Sequence, residues 1–135
     1  MNRAKKLYRA AAILLAIYTA IELSDCIAVA LMHWGVIGNL YPPVIWPEFD
    51  TLFNQQPLML LPVFLYFTSL RGLAALGLFR DRLWGFWTAI LVCTTTILWV
   101  PFLMPIAGLE MLIDGAIIFL LLLARLGNRS LTGNE

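Results

Sequence analysis

Four long apolar runs divide this chain, and its polar residues gather at the two ends and in the connections. The runs extend from about Ala10 to Met32, Pro57 to Phe79, Leu83 to Met104 and Ile106 to Arg125. A helix needs about 20 mostly apolar residues to cross a bilayer, and each run has that length. The pattern predicts an all-α chain: an integral membrane four-helix bundle that forms a single membrane domain over residues 1–135.

The segment between the first two runs, residues 33–56, reads differently. Pro42, Pro43 and Pro47 exclude a continuous helix there. Trp34, Tyr41, Trp46, Phe49 and Phe53 place amphipathic rings along it, and such rings favour the headgroup layer. The segment is expected to lie on the outer interface, as an anchor or as a lid over a cavity. Trp84 and Trp87 fit the inner aromatic belt, and Trp99 the outer one.

Basic residues give the orientation. Arg3, Lys5, Lys6 and Arg9 precede the first run, Arg80 and Arg82 sit between the second and third, and Arg125 and Arg129 close the fourth. The connection from Gly35 to Gln56 and the Pro101-to-Pro105 turn carry no Lys or Arg. The positive-inside rule then puts both termini and the middle turn in the cytoplasm. Eight of the nine basic residues obey it; the ninth, Arg71, lies within a run.

Composition agrees. Apolar residues make up 61% of the chain and charged residues 13%, against about 25% charged in a usual soluble domain. The lipid bilayer is therefore the expected partner of most of the surface. A net charge of +1 with no basic patch outside the helix ends excludes nucleic acid. The first run has a basic start and an Ala28-Val29-Ala30 sequence, as cleavable signals do, but its length and its Glu22 and Asp25 read as a retained span. Short loops without sorting signals point to a multi-pass protein of a bacterial inner membrane.

Cys26 and Cys93 both lie in apolar runs, at a spacing that fits no zinc or redox motif, and read as small buried residues. A bridge between them would need two helices to touch there. Along the first run Ala12, Ala16, Ala20, Ser24 and Ala28 recur every fourth residue, a ladder that lets another helix approach closely. It is expected to pack within the bundle or across a homodimer.

The chemistry lies in the ionisable residues inside the runs: Glu22, Asp25, Arg71, Glu110 and Asp114. Each costs at least about 2.5 kcal/mol at a bilayer centre, so each needs a partner or a proton. A rise of about 1.5 Å per residue puts Glu22 and Asp114 near the midplane, Asp25 and Glu110 about one turn further out, and Arg71 slightly toward the cytoplasm. Glu22 and Asp25 share a helix face with Tyr18 beneath them, Glu110 and Asp114 share another, and Thr68 lies beside Arg71. Thr94, Thr95 and Thr96 reach the same level. Four acids face one arginine, which takes one carboxylate bidentately, so the remaining acids are expected to hold or share protons as one coupled cluster.

No catalytic triad, metal-ligand spacing or phosphate loop appears, no cofactor is implied, and the sole histidine, His33, falls near the outer surface. The pattern leans away from an enzyme and leaves the question open, since paired acids are able to do acid–base work on a lipid.

Several short stretches resemble the EXPERA family, which includes emopamil-binding protein and the sigma-2 receptor. They are Leu15 to Tyr18, Leu40-Tyr41-Pro42, Pro57-Leu58, and Thr95-Thr96-Ile97-Leu98-Trp99-Val100-Pro101, which is similar to that family's Thr-Thr-Leu-Ile-Pro pattern. Gln56 stands where sigma-2-like members carry an acid, and Arg71 has no counterpart in the family's pattern. The resemblance implies binding of a hydrophobic amine or sterol-like ligand, with double-bond isomerisation as a further activity.

Three readings follow. In the first, Tyr18, Glu22, Asp25, Arg71, Thr95, Glu110 and Asp114 bind a small lipophilic or cationic ligand or a proton. In the second, the cluster only locks helices together in an accessory subunit or an immunity protein. The third is an EXPERA-type isomerase.

Overall fold

The computed structural model describes residues 3–38, 57–103 and 108–127. The described residues form four α-helices and no strand: α1 (Arg3–His33), α2 (Leu61–Phe79), α3 (Leu83–Leu103) and α4 (Gly108–Gly127). One turn of 3-10 helix, Pro57–Leu60, leads into α2. Most of residues 33–56, with its prolines and most of its aromatic rings, lies outside the described residues.

α1 is longer than the apolar run inside it. Its 31 residues cover about 46 Å, because the basic segment before Ala10 stays helical. It ends at Gly35, whose φ of 69° is a left-handed conformation that glycine adopts without a Cβ clash. The amide of Gly35 donates to Met32 O and that of Val36 to Leu31 O, both at 3.0 Å, which closes the helix in a Schellman motif. α2 ends the same way with Asp81 in the left-handed position, at φ 54°. Asp81 N–H donates to Leu78 O at 3.1 Å, and Arg82 N–H donates to Gly77 O at 2.8 Å. Lys5 of α1 reaches across to Asp81, 2.7 Å between Nζ and Oδ2.

α1 packs on α2 and α4, and α3 packs on the same two, so α1 stands diagonal to α3 and α2 to α4. The tightest approach is in the α2–α3 hairpin. A Cβ on Gly77 would lie 2.5 Å from Gly85 Cα, and one on Gly85 would lie 2.5 Å from the Gly77 carbonyl carbon. Two backbones touch there with no room for any side chain.

Lys5 against Asp81 places the start of α1 beside the α2–α3 turn. Arg125 places the end of α4 there too, its guanidinium 5.0 Å over the Phe86 ring and 5.7 Å over the Trp87 ring. Arg3, Lys5, Lys6, Arg9, Arg80, Arg82 and Arg125 therefore gather at one end of the bundle, called here the basic end.

The hydrophobic core fills the half of the bundle nearest that end. It is built from Tyr8, Ala11, Ala12 and Leu15 of α1, Ala74, Ala75 and Leu78 of α2, Phe86, Ala89 and Val92 of α3, and Ile117 and Leu121 of α4. The outer faces are apolar on all four helices, with Ile17, Ile27, Leu76, Leu91, Leu112 and Phe119 exposed. α1 and α2 are each long and apolar enough to cross a membrane, by length and composition, and α3 carries a shorter apolar stretch, Leu83–Trp99.

Candidate functional site

Arg71 is the centre of a polar layer above that core. It projects from α2 into the middle of the bundle and is 1% exposed. Its Nη1 donates to Glu22 Oε1 on α1. Its Nη2 donates to Thr96 Oγ1 on α3 at 2.7 Å and to Asp114 Oδ2 on α4 at 3.2 Å. The Tyr18 ring lies against the guanidinium, 4.0 Å from Cζ to the ring centroid. One side chain thus ties together all four helices.

Helical spacing explains the layer. Tyr18 and Glu22 are four apart on α1, so the ring sits one turn below the carboxylate on the same face. Thr96 donates its own hydroxyl proton to Val92 O at 2.9 Å, which leaves its lone pairs to accept from Arg71. Asp114 follows Glu110 by one turn on α4.

The layer is not fully satisfied. Glu22 Oε2, Asp114 Oδ1, Arg71 Nε and Thr68 Oγ1 are buried and have no hydrogen-bond partner among the described residues. Each such group costs about 1–3 kcal/mol. Glu22 is 8% exposed and Asp114 is fully buried. With both carboxylates ionised the triad carries a formal charge of −1, two negatives against one positive.

Asp25 and Glu110 lie one turn further from the basic end and are half-buried. They are near enough to repel each other when ionised. Glu110 lies on the hydroxyl side of Tyr18, so Tyr18 stands between the half-buried pair and the buried triad, its ring against Arg71. Glu110 and Asp114 also interact electrostatically along α4.

The structure therefore brings Tyr18, Glu22, Arg71 and Asp114 into contact and sets Asp25 and Glu110 beside them. Thr95 stands apart: its hydroxyl donates to Leu91 O at 2.8 Å on its own helix. The threonine that reaches Arg71 is Thr96. Cys93 on α3 is a further neighbour of Asp114. Cys26 sits beside the Thr68 hydroxyl. Both cysteines are free and buried. His33 is exposed at the end of α1. Within the ladder, Ala12 is buried, whereas Ala16, Ala20 and Ser24 point out of the bundle and Ala28 is half-buried. Among the described residues no group of three His, Cys, Asp or Glu side chains is placed to hold a metal ion.

Comparison with family models, with curated proteins and with solved structures found no match for this chain.

Proposed function

We propose that this is a small multi-pass membrane protein whose central cluster binds a positively charged group: a small cationic or lipophilic ligand, or a proton. Three observations support the membrane setting. The outer faces of the bundle are apolar while Glu22, Arg71 and Asp114 are buried, the reverse of a water-soluble bundle. Two helices have the length and composition of spans. The described basic residues outside the spans gather at one end, which the positive-inside rule makes cytoplasmic; the start of α1 and the end of α4 lie there too.

The surplus carboxylate carries the functional reading. A latch would be complete with one acid on Arg71, yet two acids approach it, and each keeps a buried oxygen without a partner. Such oxygens are acceptors ready for a cationic or proton-bearing guest. The test uses purified protein in detergent and two probes, tetraphenylphosphonium binding and proton uptake read by a pH-indicating dye. One of the two is expected in the wild type and to weaken about tenfold, a loss of about 1.4 kcal/mol, in Glu22→Gln or Asp114→Asn. Folded variants that bind as the wild type does would remove the reading. Conversion of an added sterol would instead support the isomerase activity that the EXPERA resemblance implies.

A second reading, an interaction protein, draws on the ladder. Ala16, Ala20 and Ser24 face away from the bundle, so that stripe is free to receive a helix of a second copy or of another membrane protein. The two readings are compatible, since the stripe and the cluster lie on different faces of α1.

A further inference from the structure

The cluster divides the bundle into unequal halves. On the basic side lies the close-packed core, whose layers of Leu15, Leu78, Val92, Ile117 and Leu121 are fully buried or nearly so. The ionisable residues of that core are Cys93, beside Asp114, and Tyr8, whose buried hydroxyl has no partner among the described residues. On the other side the next ionisable groups among the described residues are Asp25 and Glu110, both half-buried, with Tyr18 between Glu110 and the cluster. Among the described residues, the half-buried acids next to the cluster thus lie on one side of it, on α1 and α4.

The centre of the cluster also limits what it can take. A guanidinium already stands between the two carboxylates, and its face is covered by the Tyr18 ring. A metal ion or an ammonium seated there would meet that fixed positive charge at close range. A proton would not: it bonds covalently to one carboxylate oxygen, needs no coordination shell, and removes the surplus negative charge. Asp114 Oδ1 is fully buried, lacks a partner, and sits one helical turn below Glu110.

From this placement we infer that the cluster's guest is a proton, held on Asp114 and exchanged only with the face opposite the basic end, by way of Glu110 and Asp25. The inference rests on the membrane-bound binding site proposed above. In the exchange a hydronium ion at the outer mouth becomes water as its proton passes to the Glu110 carboxylate. That proton then moves to Asp114 Oδ1, Glu110 returns to its ionised form, and Arg71 stays protonated throughout. Tyr18 is a positioning residue: its ring holds Arg71 and its hydroxyl lies toward Glu110. The groups that face Asp114 and set its charge state are Tyr18, Glu22 and Asp25 on α1, Arg71 on α2, Cys93 on α3 and Glu110 on α4. Cys26 adjoins the same space from α1.

The experiment is infrared difference spectroscopy on the full chain, reconstituted in liposomes in a single orientation, with pH jumps applied separately on each side. One protonated-carboxyl band is expected to respond to outer pH and to ignore inner pH. It is expected to be lost in Asp114→Asn and to persist in Glu110→Gln with exchange slowed about 10²-fold, the usual size of a lost proton-transfer group. Tyr18→Phe keeps the ring over Arg71 and is expected to slow exchange without removing the band. A band that follows inner pH equally, or one that survives in folded Asp114→Asn, overturns the inference. So does a wild type that shows no such band but binds sodium or tetraphenylphosphonium at the cluster, an outcome that leaves the binding site itself standing. No response to pH and no cation binding would remove both.

Discussion

Arg71 and Asp114 meet across the diagonal of the bundle, with 3.2 Å between Nη2 and Oδ2, although their helices α2 and α4 do not pack side by side. The contact is made through the centre, where neither side chain reaches water. Such a pair helps set the relative position of two helices that otherwise meet through the core they share with α1 and α3.

Removing the guanidinium is therefore expected to be severe. Arg71→Leu leaves Glu22 and Asp114 buried without their counter-charge, at a cost of about 3–5 kcal/mol. Adding Glu22→Gln and Asp114→Asn to the same chain removes the uncompensated charge and is expected to restore most of that stability. Thermal or denaturant unfolding in detergent compares the two. Equal destabilisation of the single and the triple variant would show that packing, and not charge, holds the centre.

The α2–α3 hairpin gives a steric test. Gly77→Ala and Gly85→Ala each force a methyl into the opposing backbone, 2.5 Å away, and are expected to cost about 1–3 kcal/mol. Gly115→Ala is the control, because nothing lies within 4 Å of its added Cβ. It is expected to be neutral or to stabilise α4 by up to about 1 kcal/mol through helix propensity. Unfolding of the three variants side by side gives the order.

The turn after α2 combines two small opposing effects. Asp81 adopts a left-handed conformation that costs an L-residue about 1–2 kcal/mol, and glycine would relieve most of it. The partly exposed pair with Lys5 contributes about 0.2–1 kcal/mol at most. Asp81→Gly is thus expected to be neutral to stabilising, Lys5→Ala nearly neutral, and Asp81→Val clearly destabilising because its branched Cβ fits that conformation worst. Melting temperatures of the three variants check this, and a strongly destabilised Lys5→Ala would mean that the ion pair matters more than its exposure allows.

The sequence made the helices legible because hydrophobic length is a direct signal of helix in this composition. The acids and Arg71 were legible as well, since an ionisable residue in an apolar run stands out, and spacing along one helix fixes which of them share a face. Relations that depend on a second helix were not. Three threonines in a row, Thr94 to Thr96, give no angle, and only packing against Arg71 distinguishes Thr96. The ladder misleads for a geometric reason: a four-residue step advances 400°, so Ala12 and Ser24 lie about 120° apart around α1. That drift puts Ala12 in the core and Ser24 on the outside. Gly77 and Gly85 each look like an ordinary membrane glycine until the hairpin sets them against each other. The helical extension from Arg3 to Arg9 is too charged to read as part of the apolar run, although its Ala4, Leu7 and Tyr8 pack on the core.

The same drift yields a prediction. Ala12→Leu is expected to cost about 1–3 kcal/mol by overpacking, because Ala12 is wholly buried. Ala20→Leu is expected to stay within about 0.5 kcal/mol, since its side chain meets no neighbour in the bundle. Disulfide cross-linking of Ala16→Cys and Ala20→Cys in membranes then asks whether a second copy sits on this stripe. Dimers at both positions would support the interaction reading, and none at either would remove a homodimer through this stripe.

The surplus acid is the claim on which the functional reading depends, and the unfolding free energy of Asp114→Asn measures it most directly. Asparagine keeps the shape of the side chain and an oxygen for Arg71, and it leaves Glu22 and Arg71 as a neutral pair. The expected result is a change below about 1 kcal/mol together with loss of proton or cation binding. A loss of about 3–5 kcal/mol would contradict it, because Asp114 would then be half of a structural latch and no carboxylate would be left over for a guest.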